Sequence, residues 1–157
     1  MTPMSMNIES TSNPSVVVIL NSLIEVCRNG YDGYMQAAEG INSAAYKTMF
    51  AEYALERNRF ASQLANIITD LGGEPGDDGI INAWTKIAAA VMGGDNGAIF
   101  DVCEHGEAAA TNHYVWALES NLPTHVGHVV FRQYEQIMDA HERIRNLRDA
   151  YRAQHKN

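Results

Sequence analysis

An octet occurs twice in this chain, as LIEVCRNG at Leu23–Gly30 and as IFDVCEHG at Ile99–Gly106. Leu23 matches Ile99, Glu25 matches Asp101, Val26 and Cys27 match Val102 and Cys103, and Gly30 matches Gly106, so size and polarity agree almost position by position. A shorter echo, FAEY at Phe50–Tyr53 and FRQY at Phe131–Tyr134, follows each octet. A repeated helical unit that cannot bury its apolar face alone must pack against its copy. The repeat therefore points to two related helical hairpins. One residue past the match, Tyr31 falls in register with Glu107, and that mismatch bears on function.

Apolar spacing of three and four defines the helices. Pro14 suits a first turn, where a missing N–H costs nothing, and Leu20, Ile24, Cys27, Tyr31, Tyr34 and Ala38 make one stripe of a helix over 14–40. Asn42 or Ser43 caps a second helix over 43–71, with Met49, Tyr53, Glu56, Phe60, Leu64, Ile67 and Leu71 inward and Gly72-Gly73 at its end. A short amphipathic helix is expected near 80–92, carrying Trp84. Asp95 or Asn96 then caps a helix over 95–120, with Ile99, Cys103, Glu107, Ala110, Tyr114 and Ala117 inward. A last helix over 124–152 turns Val130, Tyr134, Ile137, His141, Ile144 and Tyr151 inward. Short loops within each pair and a long crossover between them give an all-α, ferritin-like four-helix bundle with an extra helix in the crossover.

The length of 157 residues and a hydrophobic content of 46% fit one domain with a real core. Residues 1–13 read as a disordered tail, 14–152 as the bundle and 153–157 as a basic tail. Two cysteines are too few for a disulfide framework, and both lie in apolar helical patterns, which favours buried free thiols in a reducing compartment. The first thirteen residues lack a basic residue, and Val16–Leu20 is shorter than the ~7 apolar residues of a signal-peptide core. No stretch approaches the ~20 apolar residues of a membrane span. A cytoplasmic protein without membrane partners is expected. Before Arg143, 6 basic residues face 18 acidic ones, a surface that repels nucleic acid. The basic residues Arg143, Arg145, Arg148, Arg152 and Lys156 complement a helix C-terminus. Helix faces could still pair with a second copy of the chain.

Three polar residues interrupt the inward stripes: Glu56, Glu107 and His141. A carboxylate in a core needs a partner, because burying an isolated charge costs several kcal/mol. Two answers are open. Glutamates and a histidine converging from three helices suit one iron, manganese or zinc ion; alternatively Arg59 folds inward and neutralises Glu56 or Glu107. Tyr31, Tyr34, Tyr53, Tyr114 and Tyr134 could hydrogen-bond Glu56 and Glu107 and stabilise them without any metal. His125 and His128 read as first-turn surface residues, His105 and His113 as surface residues, and Cys27 and Cys103 as core filler. No phosphate-binding glycine loop, nucleophile elbow or paired-cysteine zinc motif is present.

The segments LNSLIEVCRNGYDGYMQAAEG, FAEYALERNRFASQL, LGGEPGD, the Trp84 helix ending in GGDN, CEHGEAAATNHYVWAL and RQYEQIMDAHERIRNLRDAY resemble an uncharacterised bacterial ferritin-like family of four-helix bundles. The resemblance implies the fold and no established reaction. The wider ferritin-like scheme implies six ligands: a glutamate on each of the first and third helices, and a glutamate with a histidine three residues later on each of the second and fourth. This chain offers Tyr31, then Glu56 with Arg59, then Glu107, then Met138 with His141, so three of the six remain. Arg59 also brings positive charge to where a cation would sit. The expected function leans to a non-catalytic structural or interaction module without catalytic residues or a cofactor. The alternative is a protein binding one divalent ion through Glu56, Glu107 and His141, for storage, sensing or weak oxidase activity, with Tyr31, Arg59, Tyr114 and Tyr134 around them.

Overall fold

A computed structural model describes residues 13–76, 84 and 86–155. Its helices are α1 (Asn13–Gly40), α2 (Ala44–Asp70), α3 (Ile87–Gly93), α4 (Asn96–Leu118) and α5 (Thr124–Gln154), and no strand occurs among the described residues. Residues 1–12 of the expected 1–13 tail, the start of the expected short helix near 80 and the last two residues lie outside the described residues, while Asn13 begins α1. At the other end, α5 runs through Gln154, so the proposed boundary of the basic tail falls inside a helix. No helix among the described residues is long and apolar enough to cross a membrane.

Side-chain caps fix where two helices begin. Ser43 Oγ accepts the Tyr46 N–H at 3.2 Å, and Asp95 Oδ1 accepts the Gly97 N–H at 2.9 Å. Asn42 N–H donates to Asn96 Oδ1 at 2.9 Å, which ties the start of α2 to the start of α4. α1 packs against α2 and α4 against α5, each pair joined by a short turn, while α3 lies on α1 and α4.

The crossover runs back along α1. Asn21 holds Gly76 N–H at 2.7 Å, Arg28 Nη1 donates to Gly76 O at 2.6 Å, Trp84 packs over Gly33, and Val91 packs over Gly40. The described anchors thus advance along α1 from Asn21 to Gly40 as the chain goes from Gly76 through Trp84 to Val91. Trp84 is wedged between the hairpins, with its indole against Gly33 of α1 and Gly106 of α4. Any side chain at either glycine would begin within 2.4 Å of that ring.

The repeat is kept in the core. Phe50, Ala54, Arg57, Ala61, Leu64 and Ile68 are buried on α2, and Val126, Val130, Gln133, Ile137, Ala140 and Ile144 on α5. Each member of the second set lies 76 residues after its counterpart, the same shift that separates the octets. The echo of Phe50–Tyr53 in Phe131–Tyr134 is out of this register, since the counterpart of Phe50 is Val126. Spacing of four and three makes both rows heptad-like seams, and each seam carries one polar residue at its third position.

Two apolar clusters form the core. One gathers Leu20, Leu23, Cys27, Leu64, Tyr114 and Val130, and the other Tyr34, Phe50, Trp84, Phe100, Cys103 and Ile144. Along α1, α2 and α4 the boundary between them falls at Gly30, Arg57 and Glu107, so a polar layer crosses the middle of the bundle.

Candidate functional site

The α2 seam places Arg57 where a hydrophobic residue would ordinarily stand, and the α4 stripe does the same with Glu107; both are fully buried. Arg57 Nη1 donates to Glu107 Oε1 at 2.7 Å, and Nη2 donates to Oε2 in a second, parallel bond. This two-pronged geometry is the strongest way a guanidinium meets a carboxylate. Gly30 gives Arg57 its space, because a Cβ there would lie 3.2 Å from Nη1. The Tyr34 ring lies 5.4 Å from the guanidinium carbon and packs in turn on Phe50, Tyr53 and Trp84. Burial alone would lower the pKa of Arg57, but the charge and hydrogen bonds of Glu107 reverse this and hold it above its ordinary value. Burial, and then the Glu107 charge, push the Tyr34 phenol and the Cys103 thiol well above their usual ranges, so both keep their protons.

A second, uncharged network lies beside the pair. Tyr114 Oη donates to Gln133 Oε1 at 2.7 Å and lies 3.2 Å from Cys27 Sγ. A phenol has one proton, so with Tyr114 donating to Gln133 the thiol must be the donor to Tyr114. Gln133 Nε2 then donates to Gln63 Oε1 at 2.9 Å. The chain of bonds thus leads from Cys27 to the α2–α5 face. Burial pushes the Cys27 thiol up to about 11, against the lowering effect of its Tyr114 bond.

The expected ligand residues go to different places. Glu107 is at the centre, but its partner is Arg57 and not Arg59, which is exposed. Glu56 is half-buried and lines a groove between α2 and α5 together with Arg59. Its pKa is raised by burial, an effect that the neighbouring Arg57 and Arg59 oppose. His141 Nε2 lies 2.8 Å from Glu104 Oε2, and Glu104 also accepts Arg148 Nη1 at 3.0 Å. Burial would raise the pKa of Glu104, but the His141 bond and the Arg148 charge lower it. Tyr31 and Tyr134 are half-buried, Tyr134 against Phe131, and Tyr114 is fully buried. Among the described residues, no three His, Cys, Asp or Glu side chains come together in a group that could hold a metal ion. Glu107 is already gripped by both prongs of a guanidinium, so this donor set does not fit a cation at the centre.

A family model described as a domain of unknown function, DUF2383, matches residues 15–120. The chain belongs to the DUF2383 family. The match takes in Gly30, Arg57, Trp84, Gly106 and Glu107, and stops before α5 with its Gln133 and His141. A search of curated proteins gave no significant match.

In this DUF2383 chain the residues that sequence reasoning passed over are Arg57, Gln133 and Glu104. Arg57 was legible in the seven-residue spacing of Phe50, Arg57 and Leu64, interleaved with Ala54, Ala61 and Ile68. The alanines hid it, since small residues mark a buried seam less clearly than large apolar ones. On α5, Val130, Ile137 and Ile144 fix one half of the seam, and the other half falls on Gln133 and Ala140 rather than on the more bulky Tyr134 and His141.

Proposed function

We propose that this DUF2383 protein is a non-catalytic, ferritin-like structural or interaction module in which an arginine–glutamate pair fills the place of a carboxylate metal centre. The observation that carries this reading is the two-pronged Arg57–Glu107 pair at the middle of the bundle. A divalent ion there would have to displace a guanidinium whose own charge repels it, and the remaining candidates lie apart from it, Glu56 in the lining of the α2–α5 groove and His141 against Glu104. The buried tyrosine and cysteine protons are held too firmly for acid–base work near neutral pH, where a useful catalytic group titrates. The fold's exposed apolar residues, among them Val18, Trp116 and Phe131, offer contact surface for partners.

Elemental analysis of protein purified without chelators or affinity tags tests the reading. Well under one equivalent of iron, manganese or zinc per chain is expected, with a melting temperature unmoved by chelator. One tightly held ion per chain, lost in Glu107→Gln and in His141→Ala, would overturn it in favour of the metal-binding alternative through Glu56, Glu107 and His141.

A further inference from the structure

α2 and α5 barely touch, and between them lies a groove of about 520 Å³. That volume falls within the ~300–1,000 Å³ range of small-molecule sites. Its two sides carry one guanidinium each, Arg59 from α2 and Arg132 from α5. Neither arginine makes an ion pair or hydrogen bond with a described residue. In a chain of net charge −8, two unpaired guanidinium groups on one groove are a local reversal of sign. The one acid in the lining is Glu56, so the groove keeps a net positive charge.

The groove also has a built floor. Gln133 is 1% exposed and is locked by its bonds to Tyr114 and Gln63. Gln63, whose Oε1 accepts from Gln133, also lines the groove and brings amide N–H donors to it. Phe60, Ile67 and Val129 add apolar wall beside these donors. An apolar wall with a few convergent donors is how pockets hold small organic ligands, and a guanidinium fork matches a carboxylate.

We propose that the α2–α5 groove binds a small organic carboxylate, its anionic group held by Arg59 and Arg132 and its apolar body laid against Phe60, Ile67 and Val129. A net charge near +1 suits a monoanion better than a phosphate dianion. The site is independent of the Arg57–Glu107 pair, so it stands or falls separately from the function proposed above.

Titration of the ¹⁵N-labelled full chain, followed by amide chemical shifts, tests this with three probes: benzoate, uncharged benzamide and inorganic phosphate. Benzoate is expected to give saturable shifts confined to residues 56–67 and 129–136, with benzamide and phosphate at least fivefold weaker. Arg59→Gln/Arg132→Gln should weaken benzoate at least tenfold, and Glu56→Gln should tighten it. Both arginines are exposed, and if the double variant failed to fold, the two single variants would each be expected to weaken benzoate several-fold. The proposal is overturned if benzoate gives no saturable shift, if its shifts map elsewhere, if benzamide or phosphate matches it, or if the arginine variants bind unchanged.

Discussion

Arg57 and Glu107 show how strongly the value of a residue depends on its partner. With Glu107 buried, Arg57→Met leaves a carboxylate with no counter-charge, at a cost of about 3–5 kcal/mol. The pair itself is worth much less than that figure, because both ions were taken out of water to make it. Arg57→Met/Glu107→Leu is therefore expected to recover most of the loss, and urea denaturation of the two single variants and the double variant measures this directly. Arg59→Ala, at an exposed position, should move stability by no more than about 0.5 kcal/mol. A large loss there and none at Arg57 would reverse the assignment. The cysteines give a second check. With Cys27 pushed up to about 11 and Cys103 also raised and buried, neither offers thiolate at pH 8. Iodoacetamide should label both in urea and neither in the native protein, and rapid native labelling of either would contradict its burial.

The helices meet through what they lack. Gly33 and Gly106 leave the gap that the Trp84 indole fills, and the glycine ending the first octet, Gly30, similarly admits Arg57. An alanine in mid-helix ordinarily gains about 1 kcal/mol over glycine. Here its methyl would sit 2.2 to 2.3 Å from ring carbons, and overpacking of that kind costs about 1–3 kcal/mol. Gly33→Ala and Gly106→Ala are each expected to lower the urea midpoint in the wild type and to raise it in a Trp84→Ala background. The same sign in both backgrounds would show that the indole is not what the glycines accommodate. Only part of this helical arrangement is legible in the sequence. Four long helices, their caps and the crossover follow from local spacing, because each is dictated by residues near in sequence. The inward stripe of α4, with Glu107, could also be read directly, since large apolar residues mark it. The seams of α2 and α5 could not be read by size alone, for rotation by one residue exchanges Glu56 for Arg57, Tyr134 for Gln133 and His141 for Ala140. That rotation is decided by contact with the other hairpin, through the Glu107 carboxylate and the close fit of small residues.

The whole molecule is a repeat whose halves have diverged at their junction. At the 76-residue shift, Glu107 corresponds to Tyr31 and Arg57 to Gln133, so the buried ion pair exists in one direction across the bundle and has no counterpart in the other. Among the features that join the hairpins are the α1–α4 packing, the Trp84 wedge and the Arg57–Glu107 pair. The α2–α5 side contributes little and instead opens into the groove. Neither hairpin can bury both its seams alone, since both apolar clusters draw residues from both halves. The bundle should therefore unfold as one cooperative unit. Its two tryptophans report different places, Trp84 in the junction and Trp116 on an exposed face of α4. In a Trp116→Phe background, emission from Trp84 and helical circular dichroism should follow one urea transition. Breaking the pair with Arg57→Met should shift that transition to lower urea with the two signals still coincident. Loss of Trp84 emission well before loss of helix would show instead that the hairpins part while each stays folded, and that the junction is a hinge rather than a core.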